Sequence, residues 1–247
     1  MNHITLIGFA IIFLATTAGS ALVYFFKRDI PKRTNAIILG FAAGVMIAAA
    51  VWSLLIPSID VAESQFGTWA WVPAAVGFLL GGLFLVLLDH LLPHFHIGTG
   101  HEEGPHVKVH KSTRLFLAVT IHNIPEGLAV GAGDSAGLTL GIALQNVPEG
   151  MIIIGPMLSA GIKPARTFLI AAFTGLVEVA GTLIGYFSVS AATVILPFAL
   201  AFAGGTMLYV VSDEMLSETH AHGSQRGATY ALLIGFCLML VVDTLLG

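Results

Sequence analysis

Eight runs of about twenty apolar residues, strung along a chain of 247, leave this sequence few ways to fold. They cover about 4–26, 34–56, 72–92, 114–131, 138–159, 166–187, 192–215 and 227–246. A helix rising 1.5 Å per residue needs roughly this length to cross about 30 Å of hydrocarbon, where each backbone polar group must be satisfied internally. Charged residues are 10% of the chain, against about 25% in soluble domains, too few to dress a water-facing surface. The expected fold is therefore all-α: a polytopic membrane protein of eight transmembrane helices, one domain over residues 1–247. The first run has no basic residue before it, and Lys27, Arg28, Lys32 and Arg33 follow it, so it is expected to remain as a span and not to be a cleaved leader. The single Cys237 excludes an intramolecular disulfide and a multi-cysteine metal site. The expected partner is the lipid bilayer, with no nucleic acid; the formal charge of −4 says little, because its distribution matters more than its sum.

Orientation follows from the basic residues. With eight crossings, Lys27, Arg28, Lys32, Arg33, Lys108, Lys111, Arg114, Lys163, Arg166 and Arg226 all fall on one side. The positive-inside rule makes that side cytoplasmic and both termini extracytoplasmic. The expected location is the cell membrane, multi-pass, and the inner membrane in a Gram-negative host. The outer face carries Asp60, Glu63 and Asp134, with Asp243 in the outer part of the last span, and an acidic entrance suits a cation. Residues 93–113, PHFHIGTGHEEGPHVKVHKST, form a polar, histidine-rich cytoplasmic loop expected to have little fixed structure. Five small-xxx-small motifs, GFAAG (40–44), GFLLG (77–81), GLAVG (127–131), GLTLG (137–141) and GTLIG (181–185), predict close helix packing without saying which helices pair.

Within this apolar background HNIPEGLAVG (122–131) returns as QNVPEGMIIIG (145–155). Counting from the membrane edge at 1.5 Å per residue puts His122 to Glu126 about 12–18 Å deep, and Gln145 to Glu149 at a similar level on the antiparallel fifth span. Met46 on the second span and Glu178 on the sixth reach comparable depths by the same count. Each pair, His122 with Glu126 and Gln145 with Glu149, is spaced i, i+4 and shares a helix face, with Asn123 and Asn146 three residues before the glutamates. Pro125 and Pro148 cannot donate, which frees the carbonyls of Ile121 and Leu144 and is expected to kink both helices. An acid at the bilayer centre costs about 2.5–3.5 kcal/mol on insertion scales, so ionisable residues there are functional candidates by default. Matching proline breaks in neighbouring spans point to a transporter's central ion site.

Carboxylate, imidazole and amide oxygens with one thioether suit divalent zinc, iron, manganese, cobalt or cadmium. Glu126, Glu149 and Glu178 together would carry −3 if all ionised, and a dication is a reasonable counter-ion. No resident cofactor is expected; the metal is cargo. Two other classes fit less well. An intramembrane metalloprotease needs two histidines, typically as HExxH, whereas only His122 lies deep and the motif is HxxxE, so no enzyme is expected. A proton-coupled carrier of a small organic substrate would use the same carboxylates but would need a larger pocket and ignore metal.

HNIPEG on the fourth span, QNVPEG on the fifth, eight spans, external termini and a histidine-containing third loop resemble the ZIP family of divalent-metal transporters, in its bacterial GufA-like branch. The resemblance covers nearly the whole chain. It implies metal movement into the cytoplasm through a binuclear centre bridged by Glu126 and Glu149. His122, Gln145, Met46 and Glu214 would serve the first ion, and Asn123, Asn146 and Glu178 the second. It further implies an elevator-like motion of spans 1, 4, 5 and 6 against 2, 3, 7 and 8, commonly in a homodimer. Gln145 stands where many members have histidine, and Asn146 where some relatives have an acid.

Two outer groups of residues are secondary candidates. Asp89, His90, His94 and His96 lie where the third span meets the cytoplasm, and Asp213, Glu214, Glu218, His220 and His222 around the seventh. Either set forms an exit ladder of exchangeable ligands or an interfacial polar fringe. His101, His106 and His110 suit weak metal sensing or buffering, and Asp60 and Asp243 resemble the family's outer entrance acids. The topology is testable by labelling in a Cys237→Ser background. Single cysteines at 60 and 134 should react with impermeant thiol reagents from outside, and cysteines at 33, 108 and 163 should not. The reverse pattern would sink the orientation.

Overall fold

The structure, a computed structural model, describes residues 3–25, 31–91, 94–95, 102–103, 111–133, 136–191, 193–220 and 225–246. Helix α1 (His3–Ala21) ends in a 3-10 turn (Leu22–Tyr24). Helix α2 (Lys32–Ala48) passes through a π-helical turn (Ala49–Leu55) into α3 (Ile56–Phe66), a helix about ten residues longer than the second apolar run predicts. Gly67, at φ +56°, adopts the left-handed conformation that stops α3. Helix α4 (Trp71–Leu91) follows. In the histidine-rich loop, expected to be unstructured, strands β1 (His94–Phe95) and β2 (Glu102–Glu103) pair antiparallel, His94 opposite Glu103 and Phe95 opposite Glu102.

Helices α5 (Lys111–Gly133) and α6 (Ala136–Ile152) carry the two motifs, and α6 runs on through Pro148. The break comes later, at Ile153, before α7 (Ile154–Ser159). Pro156 accounts for it, since it has no N–H to donate to the Ile152 carbonyl. Helix α8 (Pro164–Ala191) leads through a 3-10 turn (Thr193–Ile195) to α9 (Leu196–Val210), a second π turn (Val211–Met215), α10 (Leu216–His220) and α11 (Gln225–Leu246).

Six stretches among the described residues are long and apolar enough to cross a membrane: Ile7–Tyr24, Lys32–Trp69, Trp71–Leu88, Pro164–Ser188, Leu196–Asp213 and Arg226–Leu246. Helix α5 and the α6–α7 pair, outside this set, are the ones that hold the motifs. Leu79, Leu83, Leu87, Ile184, Phe187, Ile234 and Leu245 point outward, as lipid-facing side chains do. Trp69 and Trp71 are exposed at the α3–α4 turn, rings 6.3 Å apart, where amphipathic rings anchor a span in the headgroup layer.

The helices sort into two groups. α5 packs along α8 and α1 against α6 and α8; α2 packs along α11 and α4 along α9. The small-residue motifs make these seams. A methyl group on Gly127 would strike the Glu178 carbonyl, one on Gly44 the Leu232 carbonyl, and one on Gly81 the Phe202 carbonyl. Helix backbones therefore touch at α5–α8 and α1–α6 in the group α1, α5, α6, α8, and at α2–α11 and α4–α9 in the group α2, α4, α9, α11. Between the groups, α5 and α6 meet α2, α9 and α11 through side chains.

Adjacent glycines test the packing. Gly81 lies on the α4–α9 seam, whereas a Cβ on Gly82 meets nothing within 4 Å. Gly81→Ala should destabilise the protein by about 1–3 kcal/mol through overpacking. Gly82→Ala should be neutral or stabilising, since alanine is the better helix former. Thermal unfolding in detergent reads the difference, and equal effects would contradict the seam.

Candidate metal centre

The polar motifs converge because α5, α6 and α8 are drawn together with α1. Asn123, Gln145, Asn146 and Glu178 are fully buried, Glu126 is 1% exposed and Glu149 8%. The Glu126 carboxyl lies within electrostatic reach of Glu149 and Glu178, with the Gln145 amide beside it. So three carboxylates, one from each of α5, α6 and α8, share one buried region. Among the described residues no three His, Cys, Asp or Glu side chains close on a single point; the oxygens between them belong to amides.

The amide orientation is set by their surroundings. Asn123 Nδ2 donates to the Thr174 carbonyl at 3.2 Å, and Asn146 Nδ2 donates to Glu178 Oε2 at 2.6 Å and to the Ile12 carbonyl at 3.5 Å. A carbonyl only accepts, so the NH2 end of each amide is held outward. Both Oδ1 atoms are left without a hydrogen-bond partner, as are both oxygens of Glu126, Oε1 of Glu178 and both polar atoms of Gln145. Buried polar atoms are nearly always paired, so a set of unpaired acceptors gathered from three helices needs a cause. A cation supplies one: every atom in the set but one is an oxygen able to ligate it.

Helix α1 is the part of the site that the motifs did not predict. Its Ile12 carbonyl holds Asn146, and the Thr16 hydroxyl neighbours the Glu178 carboxyl. The signal was present: Thr16 and Ser20 stand i, i+4 on an otherwise apolar helix, and both are buried. Met46 is buried in the same apolar cluster as Ile121 and Ile142, which flank the two motifs. His122 lies on α5 and Glu214 in the second π turn, with both side chains outside the described residues.

The described secondary candidates lie on four different elements. Asp60 is exposed on α3. Asp243, half-buried on α11, accepts a 2.5 Å hydrogen bond from Ser53 in the first π turn. Asp213 is half-buried in the second π turn. His90 is exposed, its Nδ1 2.8 Å from the Val86 carbonyl of its own helix. The side chains of Asp89, His94, Glu218 and His220, and the whole of His96, His101, His106, His110, Asp134 and His222, lie outside the described residues.

Residues 100–243 match the family model described as ZIP Zinc transporter. "Zinc transporter GufA" of Myxococcus xanthus is 38% identical over 240 residues, covering 94% of this chain and 94% of that protein. "Zinc transporter ZIPB" of Bordetella bronchiseptica is 37% identical over 242 residues, 94% of this chain and 78% of its own. "Zinc transporter ZIP11" of Homo sapiens is 34% identical over 322 aligned residues, 94% of each.

The anchoring of Asn146 can be measured apart from any activity. Asn146→Leu removes the donor to Glu178 Oε2 and leaves a buried carboxylate oxygen unsatisfied, a loss of about 1–3 kcal/mol. The unfolding temperature in metal-free detergent solution should drop. Thr206→Val, which removes a hydroxyl bonded only to Ala203 of its own helix, should change it little. Equal values for both variants would remove the role given to Asn146.

Proposed function

Because this chain belongs to the ZIP family of zinc transporters, we propose that it carries a divalent transition metal, zinc foremost, across a cell membrane into the cytoplasm. Iron, manganese, cobalt and cadmium have compatible ligand chemistry. The observation that carries this reading is the set of buried, unpaired oxygens on Asn123, Glu126, Gln145, Asn146 and Glu178. The donor types, hard carboxylates with amide oxygens and imidazole from His122, match a borderline dication that must be released again. The reaction is transport, with no bond made or broken in a substrate.

In this reading Glu126 and Glu149 bridge two ions. His122, Gln145, Met46 and Glu214 complete the first ion's ligands, and Asn123, Asn146 and Glu178 the second's. The chain forms one domain that crosses the membrane eight times, α5 and the α6–α7 pair being the fourth and fifth spans, with both termini outside. Asp60 and Asp243 stand at the outer mouth. His90, Asp213 and their neighbours, with Asp89, His94, His96, Glu218, His220 and His222, form the exit ladder, and the loop at 93–113 tunes delivery at the cytoplasmic side. The division of the helices supports alternating access by sliding. Backbone seams pair α5 with α8 and α1 with α6 in one body, and α2 with α11 and α4 with α9 in the other, while side chains separate the two bodies. The second body is the one we assign to a homodimer's fixed scaffold. In a Gram-negative host the membrane is the inner one.

Uptake by proteoliposomes, paired with metal titration of purified protein, tests the centre. Glu126→Gln and Glu149→Gln should abolish uptake in a folded, inserted protein, because each removes charge shared by both ions. Glu178→Gln should lower the stoichiometry from two metals per chain towards one while uptake persists at an altered rate. Normal uptake by either bridge variant overturns the site; a wild type binding a single central ion overturns the binuclear reading.

A further inference from the structure

Four of the five small-residue motifs place a glycine against a neighbouring backbone. In the fifth, GLTLG, Gly141 faces a side chain instead. A Cβ on its Gly141 would fall on the Sδ and Cε atoms of Met239. Met239 is fully buried, although α11 turns most of its other side chains outward. Gly141 belongs to α6 and Met239 to α11, so this notch lies between the two helix groups. Here a side chain of one group enters the backbone surface of the other.

Its position along the membrane normal gives it meaning. Gly141 precedes Gln145 by one helical turn, about 6 Å on the outer side, and the Gln145 amide has no hydrogen-bond partner. On α11 Met239 and Asp243 are i, i+4 and share a face. Asp243 is tethered to Ser53. From the outside inward the order is a carboxylate at Asp243, a thioether at Met239, then the Gln145 amide and the Glu149 carboxylate one turn below it.

We propose that Met239 is a metal-binding residue of the outer path, whose thioether takes a soft or borderline dication from Asp243 and delivers it to Gln145. The inference rests on the transport reading above and adds to it a residue that sets which metals enter most readily. An unbranched thioether suits this task. It has three rotatable bonds, so its sulfur can leave the notch without displacing a backbone, and its polarizable lone pairs favour softer ions. Hydrocarbon of the same size would fill the notch as well but would have nothing to offer an ion.

Proteoliposome uptake of Cd2+ and Mn2+, a soft and a hard probe, separates a ligand from a space-filler. In Met239→Leu the KM for Cd2+ should rise several-fold with the KM for Mn2+ and both kcat values near wild type. Met239→Cys in a Cys237→Ser background should restore the Cd2+ preference. Should the leucine variant fail to insert, Gly141→Ala keeps the sulfur but drives it from the notch and should shift the Cd2+ to Mn2+ ratio in the same direction. A ratio unchanged in Met239→Leu, or a cysteine variant that behaves like leucine, overturns the inference and leaves the transport reading intact. A wild type that moves neither metal overturns both.

Discussion

A carboxylate in a low-dielectric interior is costly unless a positive charge comes to it, and the arrangement of this protein depends on that cost. Glu126 and Glu178 are buried with no lysine or arginine on the helices that hold the motifs at that depth. What surrounds them is neutral and directional. The amide hydrogens of Asn123 and Asn146 are spent on the Thr174 and Ile12 carbonyls and on Glu178, so their oxygens turn inward. Such a set of unpaired oxygens beside buried carboxylates has the donor chemistry that a cation would satisfy.

Bringing those oxygens together requires helices closer than ordinary side chains allow. Glycine supplies the approach on both flanks of the site: Gly127 meets α8 at the Glu178 carbonyl, and Gly150, next to Glu149, meets α1 at the Thr16 carbonyl. The same glycines that hold the fold thus set the distances within the centre. The other helix group faces this body with a different backbone device. The π turn at Ala49–Leu55 follows Met46 closely and contacts α5 and α6, and a second lies at Val211–Met215 around Glu214. A π turn widens the helix and redirects the side chains that follow, which is why such turns collect at functional positions.

Much of this was legible in the sequence. Long apolar runs, depth counting and i, i+4 spacing placed Glu126, Gln145, Glu149 and Glu178 in one layer, and the structure brings them together. The small-residue motifs announced close packing but not its partners, because a GxxxG pattern describes one surface of a contact and not the other. Helix α6 continues through Pro148, and the interruption belongs to Pro156, where the loss of an N–H coincides with a glycine neighbour at Gly155. The contribution of α1 was legible only in part. Thr16 and Ser20 mark a polar face on an apolar helix, but the Ile12 group that holds Asn146 is a main-chain carbonyl, and a backbone acceptor leaves no trace in residue identity.

The seams also divide the sequence by how freely it can drift. Where a helix backbone lies on another, as at Gly127, Gly44 and Gly81, no side chain larger than hydrogen fits, and sterics fix the residue regardless of what the protein carries. The surface between the two bodies is made of Ala, Leu, Ile and Met, for which volume-conserving exchange usually costs below about 1.5 kcal/mol. Apolar side chains between the bodies are therefore open to drift, while the glycine seams, which also set the spacing around Glu149 and Glu178, are closed to it.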